Sequence, residues 1–348
     1  MLGFDKRAAA YTWTAAAVLV TVYLAYLLRK MMFIFVLALL FAYLLMPLVD
    51  MLDRLLSRRT RTPALALAYM IFVAVLVVAG MQIGSRAVDQ GNRLAKDFPV
   101  MLERWKQPSQ GVSPAVNSFK EQVLNGIQEQ VRGNTAKLLS ALPEAGRKVL
   151  SIAGDAVFVV IIPILAFFFL KDAHSIRDNI LRAIGDRRRR ELIDGLMADA
   201  HLLLAHYMRA LVLLSLATFL VYGAFFLILG VPYTVLLAVM AAVLEFLPMI
   251  GPLAAAVVIV IVGGLNGVSV LAILIFLGVY RLFQDYVLTP HIMGRGVELH
   301  PLLVIFGVFA GGEIAGIPGA FLSVPALALL RVVFRRIVAP GCALTPPE

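Results

Sequence analysis

Along most of this chain, apolar runs of roughly membrane length alternate with short polar breaks, but from Val231 to Val333 the runs keep interrupting themselves. A helix needs about 20 apolar residues to cross a bilayer. Tyr11 to Leu28, Met31 to Val49, Ala64 to Ile83, Ser151 to Leu170, Ala210 to Leu229 and Val268 to Leu282 reach or approach that length, and each predicts a spanning helix. Thr234 to Leu247 and Leu253 to Gly264 fall short, with Pro248-Met-Ile-Gly-Pro252 between them. Two half-length arms joined by a Pro/Gly tip predict a re-entrant hairpin, because non-helical backbone at membrane depth survives only against protein or a water-filled cavity. The form returns near the C-terminus: Leu299 to Phe309 is one arm, Gly311-Gly-Glu-Ile-Ala-Gly-Ile-Pro-Gly319 the tip, and Ala320 to Val333 the other. The pattern predicts an all-α polytopic membrane protein of about 8 transmembrane segments, two of them Pro/Gly-broken re-entrant hairpins.

The polar stretches divide the chain into five parts. Residues 1–83 hold three spans. Lys6 and Arg7 before the first run resemble a signal peptide, but no small-residue cleavage site follows, so an uncleaved span is expected. Arg54, Arg58, Arg59 and Arg61 crowd the link before Pro63, which the positive-inside rule assigns to the cytoplasmic face. The N-terminus then lies on that face too, with Arg29-Lys30 at a turn on the far side. Residues 84–150 are charged throughout, with Pro99, Pro108, Pro114 and Pro143 as breaks and an amphipathic helix marked by Phe119, Val123, Ile127 and Val131. They are expected outside, as a helical cap. Residues 151–209 give a span kinked at Pro163 and then a cytoplasmic amphipathic helix. Its stripe of Leu192, Ile193, Leu196, Met197, Ala200, Leu203 and Leu204 is expected at the interface, with Arg187, Arg188, Arg189 and Arg190 on anionic lipid headgroups. Residues 210–336 form the core of interest and 337–348 a tail, so both termini are expected to be cytoplasmic.

Composition narrows the class. Hydrophobic residues make up 61% of the 348 and charged residues 15%, with a mean hydropathy of +0.91, against roughly 45–50% apolar and about 25% charged in soluble domains. The net charge of +10 fits Lys and Arg held in cytoplasmic loops, and no nucleic-acid-binding module accompanies it. Cys342 is the single cysteine, which excludes a disulfide framework and a CxxC metal site. Neither the pair His201 and His206 nor the pair His291 and His300 has zinc-site spacing. No Walker A loop, nucleophile motif or convergent polar set occurs, so neither an ATP-driven pump nor an enzyme is expected, and no cofactor.

Ala210 to Gly264 and Val268 to Val333 read as two copies of a span plus a hairpin. Gly230-Val followed by Val235-Leu-Leu matches Gly296-Val followed by Pro301-Leu-Leu, and each copy places one Glu near its tip. One net crossing per copy makes the repeat inverted. Paired, interrupted segments of this kind point to a transporter's binding site. Glu245 and Glu313 are the candidate pathway acids, since an ionisable group inside a membrane is costly and usually faces a cavity. Asp285 and Arg281 lie four apart, which predicts an ion pair. Pro248, Gly251, Pro252, Gly311, Gly312, Gly316 and Pro318 shape the tips and free backbone groups for a ligand. Hairpins entering from opposite faces would bring Glu245 and Glu313 together near the midplane.

Several motifs resemble the AI-2E family of bacterial transporters. They are Tyr43-Leu-Leu-Met-Pro-Leu-Val-Asp50, Phe169-Leu-Lys-Asp172, Leu229-Gly-Val-Pro232 and Glu245-Phe-Leu-Pro-Met-Ile-Gly-Pro252, then Thr289-Pro-His-Ile-Met-Gly294, Leu299-His-Pro-Leu-Leu303, Gly311-Gly312, Gly316-Ile-Pro-Gly319 and Ser323-Val-Pro325. The chain departs from the family at Arg209, followed by Ala210-Leu211 in place of the usual Gly-Gln. The resemblance implies a secondary transporter in the bacterial inner membrane that exports a small polar solute of the autoinducer-2 class, as a homo-oligomer and by family likeness a pentamer. Some members look like sodium/proton antiporters, so a cation/proton antiporter is the alternative. A structural or regulatory membrane protein without flux is the third reading.

Overall fold

The computed structural model describes residues 6–56, 62–106, 160–293 and 299–338. Every regular element among them is helical: α1 (Lys6–Leu56), α2 (Thr62–Ala79), α3 (Ser85–Lys106), α4 (Ile162–Ala183), α5 (Arg187–Ile228), α6 (Thr234–Leu244), α7 (Ile250–Leu265), α8 (Val270–Phe283), α9 (Thr289–Met293) and α10 (Pro301–Val338). A π turn at Gly80–Gly84 joins α2 to α3, and another at Gln284–Leu288 joins α8 to α9. Among the described residues six stretches are long and apolar enough to cross a membrane by length and composition: Tyr11–Arg29, Met31–Leu56, Thr62–Met101, Arg187–Ile228, Val270–Ile292 and Pro301–Arg336.

α5 is the mast of the molecule, with 42 residues and a length of about 63 Å. Its first half packs with Leu40 of α1 and with Val324, Ala328 and Val332 of α10 through Leu203, Leu204, Tyr207, Met208 and Leu211. Its second half, through Tyr222 and Phe226, joins a core with Leu237 of α6, Ile259 of α7, Ile273 of α8 and Leu94 of α3. A third core ties Leu45 and Val49 of α1 to Leu65 of α2 and Ala166 of α4. There the Tyr69 hydroxyl donates to the Pro163 carbonyl at 3.0 Å, a partner from a neighbouring helix.

The two interrupted segments are both helix hairpins. α6 and α7 begin and end beside α3: Tyr233 Oη donates to Asp97 at 2.8 Å, the Leu236 amide donates to Gln90 Oε1 at 2.9 Å, and Asn266 lies 3.9 Å from Met101 Sδ. In α10 the backbone leaves the helical region at Ala315 (φ −140, ψ 18) and Gly316 (φ 65, ψ −148). A Cβ built on Gly307 would lie 2.5 Å from Leu327 and 3.5 Å from Ser323. Twenty residues of straight helix would separate positions 307 and 327 by about 30 Å, so the chain reverses at 315–316 and the halves pack side by side. The base of this second hairpin is fixed at the other end of α5, where Arg336 Nε donates to Asp199 Oδ2 at 2.7 Å. The hairpins thus approach α5 from opposite ends.

Several expectations are corrected. No turn occurs at Arg29-Lys30, because α1 runs unbroken for 51 residues; Arg and Lys are good helix formers and nothing nearby breaks the helix. The helix is not interrupted at residue 84, since the π turn carries it on to Lys106 with Pro99 inside it. The stripe on residues 192–204 is not a separate interfacial helix. It belongs to α5, and its Leu203 and Leu204 are buried against protein. The second tip is two residues wide, and Gly311 and Gly319 lie within the helical arms. Among the described residues six stretches stand against the about 8 segments expected, and Pro301–Arg336 folds back on itself, while the start of the span expected at 151–170 lies outside the described residues. The amphipathic stripe at 119–131 and the tail 339–348 lie outside the described residues.

Candidate functional site

Polar contacts converge on Glu245, the C-cap of α6, which is 9% exposed. A carboxylate is tolerated in such a place only if donors satisfy it. Thr218 Oγ1 of α5 donates to Oε2 at 3.3 Å, and Gln284 Nε2 makes a short hydrogen bond to Oε1. Thr218 Oγ1 also lies 2.9 Å from Tyr280 Oη, and Ser215 Oγ donates to the Ala242 carbonyl at 2.7 Å. Arg281 is within electrostatic reach of Glu245 and is paired with Asp285 at 2.9 Å, the ion pair its spacing predicts. Two carboxylates against one guanidinium leave the cluster formally negative, suited to a cation or to the hydroxyls of a polar solute.

Local sequence explains why the groups meet. Tyr280 of α8 and Gln284, the residue that caps its C-terminus, are four apart on one helical face, as are Ser215 and Thr218, three apart on α5. The π turn starts at Gln284, and such turns recur at functional sites. Next to Glu245, Pro248-Met249-Ile250 forms a γ-turn: the Ile250 amide donates to the Pro248 carbonyl at 2.8 Å with Met249 at φ 65, ψ −52. This turn is rare and strained for a residue with a side chain. Gly251 is buried against the Leu244 carbonyl, where no Cβ fits. Pro252 lies in the first turn of α7, where an amide hydrogen would lack a helical partner anyway.

The other predicted residues form a separate tip. Gly311 and Gly319 touch backbone to backbone, a neck that excludes any side chain at either position. A Cβ built on Gly312 would lie 4.0 Å from the Ala320 Cβ, Pro318 is half-buried, and Glu313 and Gly316 are exposed. Glu245 and Glu313 do not pair: the partners of Glu245 are Thr218 and Gln284. The hairpins instead meet through Phe246, whose ring centroid is 6.0 Å from that of Phe321. Thr218, Tyr280 and Gln284 were not among the sequence candidates, and the available signal was their placement within apolar runs, Tyr280 and Gln284 at i, i+4 and Thr218 three after Ser215. Arg187–Arg190 are exposed, with Arg187 on Glu191 at 3.1 Å and Arg189 on Asp186 at 3.7 Å. Among the described residues no group of three or more His, Cys, Asp or Glu is placed to hold a metal.

A family model described as AI-2E family transporter matches residues 15–339. The candidate transport protein YrrI of Bacillus subtilis is 24% identical over 335 residues, covering 92% of this chain and 94% of its own. A candidate transport protein of Mycobacterium tuberculosis is 29% identical over 343 residues, 93% of this chain and 88% of its own. The AI-2 transport protein TqsA of Escherichia coli is 25% identical over 311 residues, 87% of this chain and 85% of its own.

Proposed function

This chain belongs to the AI-2E transporter family, and from that premise we propose that it exports a small polar solute of the autoinducer-2 class across the bacterial inner membrane by alternating access. The observation that carries the reading is Glu245, a carboxylate buried at the tip of one hairpin where that tip touches the other. The relative named for AI-2 transport supports the solute class. In this proposal the hairpins are re-entrant, and their tips and Glu245 lie near the membrane midplane, where transporters of broken-helix design bind their cargo. Solute hydroxyls replace Gln284 and Thr218 as donors to the carboxylate, and the tip backbone at 248–252 and 311–318 lines the path.

The hairpins differ in how they are held. The first is tied to α3 through Tyr233 and Asp97, and burial, helped by the Asp97 bond, pushes the Tyr233 hydroxyl up to about 12. The tie therefore keeps its proton at physiological pH. The second packs on α1 and α5, is pinned at its base by Arg336 and Asp199, and ends in an exposed tip. We assign the movement to the second hairpin, swinging about that base against a fixed first hairpin. Residues 57–61, 171–209 and Arg331, Arg335 and Arg336 face the cytoplasm, with 84–148 outside. A continuous α1 that crosses once carries the N-terminus outward, which revises the expected placement of that end. The proposal includes a homo-oligomer, with Arg187–Arg190 on anionic lipid.

Flux of labelled autoinducer-2 in proteoliposomes, with labelled sodium in parallel, tests the reading. Wild-type protein is expected to move autoinducer-2, and Glu245→Gln to lose that flux. Sodium flux coupled to pH, without autoinducer-2 flux, would replace the reading by the antiporter.

A further inference from the structure

Tyr207 has a hydroxyl with no partner. Among the described residues it is the only buried side-chain oxygen or nitrogen in that condition, and the residue is 3% exposed. A buried hydroxyl that has left water without gaining a hydrogen bond costs free energy, and native interiors keep few of them. Phe would fill the same space without that cost, so packing alone does not account for Tyr.

Its location adds a second observation. Tyr207 belongs to the cluster in which α5 packs with the second hairpin, through Val324, Ala328 and Val332, and with Leu40 of α1. Phe246, the neighbour of Glu245, packs against the same cluster and touches Phe321. Along α5, positions 207, 211, 215 and 218 share one face. The hydroxyls of Tyr207, Ser215 and Thr218 therefore follow a line from the Asp199 end of α5 to Glu245. A swing of the second hairpin opens the part of this face that shares its cluster, at positions 207 and 211.

We propose that Tyr207 Oη is a second solute-binding point, on the inner side of Glu245, and that the solute it takes is an uncharged molecule bearing hydroxyl or carbonyl groups. The proposal rests on the transporter reading given above. The phenol can both donate and accept, and its surroundings are apolar, so it adds nothing for a bare cation and a full hydrogen bond for a neutral oxygenated solute.

Three measurements on the full-length protein in proteoliposomes decide the matter. With labelled autoinducer-2 as probe, Tyr207→Phe is expected to raise the half-saturating concentration roughly tenfold, the loss of one hydrogen bond. Its thermal midpoint is expected at or above wild type, because no internal partner is lost. In a Cys342→Ser background, Tyr207→Cys is expected to react with a small water-soluble thiol reagent, while Ala210→Cys, buried on the same helix, stays unreactive. Unchanged saturation in Tyr207→Phe, with flux lost in Glu245→Gln, would overturn the Tyr207 assignment and leave the transporter reading standing. Absent flux in wild type would overturn that reading, and the thiol reaction then decides about position 207 by itself. Equal inertness of Tyr207→Cys and Ala210→Cys, or a lowered midpoint in Tyr207→Phe, means a sealed or internally bonded hydroxyl and overturns the proposal.

Discussion

Replacing Glu245 by Gln and by Leu separates its charge from its hydrogen bonds. The Gln amide oxygen takes the place of Oε1 and accepts from Gln284, while its NH2 faces Thr218. Thr218 can then accept and pass its own hydrogen to Tyr280, a bond in which either oxygen can donate. Hydrogen bonds to a charged group are worth about 1.5–3 kcal/mol and neutral ones about 0.5–1.5 kcal/mol. The two weakened bonds cost about 2–3 kcal/mol together, and relief of burying a charge offsets a comparable amount. Glu245→Gln is therefore expected within about 1–2 kcal/mol of wild type. Leu offers no acceptor. It strands the Gln284 amide, at about 1–3 kcal/mol, and removes one of the two bonds of Thr218, so Glu245→Leu should fall about 2–4 kcal/mol below Glu245→Gln. Unfolding by SDS in mixed micelles measures the difference, with solute flux measured alongside. Both variants should lose flux. Equal stability of the two would show that the Thr218–Glu245–Gln284 node holds nothing together, and wild-type flux in Glu245→Gln would show that the charge is unused.

Three further outcomes are expected. Gly316→Ala should destabilise by about 1–3 kcal/mol, because its φ 65, ψ −148 is open essentially to glycine alone, whereas Gly312→Ala meets Ala320 at ordinary contact distance and should be tolerated; unfolding midpoints of the two variants compare them. Arg336→Ala leaves Asp199 buried and unpaired and should cost about 3 kcal/mol, the low end for a buried pair because Arg336 is partly exposed. Adding Asp199→Ala should recover most of that loss, and a double variant as unstable as the sum of the singles would refute the pairing. With an impermeant thiol reagent on intact cells in a Cys342→Ser background, cysteines at Leu2 and Gln110 should label and one at Arg59 should not; protection at Leu2 would show that α1 bends back within the bilayer.

The helical class, most of the long apolar stretches and the helical arms of both interrupted segments were legible in the chain, because each depends on local quantities. Apolar length decides what can cross a bilayer, and Pro and Gly decide where a helix must stop. The Arg281–Asp285 pair was equally local, a matter of four-residue spacing. The site was legible only in half. Glu245 could be picked out as an ionisable residue in an apolar arm, but its partners Thr218 and Gln284 lie 27 positions before it and 39 after it, with Tyr280 bonded to Thr218, and only the rotation of three helices about their axes brings them to one point. That same rotation leaves Glu313 exposed and unpaired with Glu245, and leaves the hydroxyl of Tyr207 buried without a partner. Continuity of α1 and α5 was also undecided by pattern, since a charged pair inside an apolar run suits either a turn or an uninterrupted helix. Which of the two forms depends on what the flanking faces can pack against, and those faces belong to residues far away in the chain.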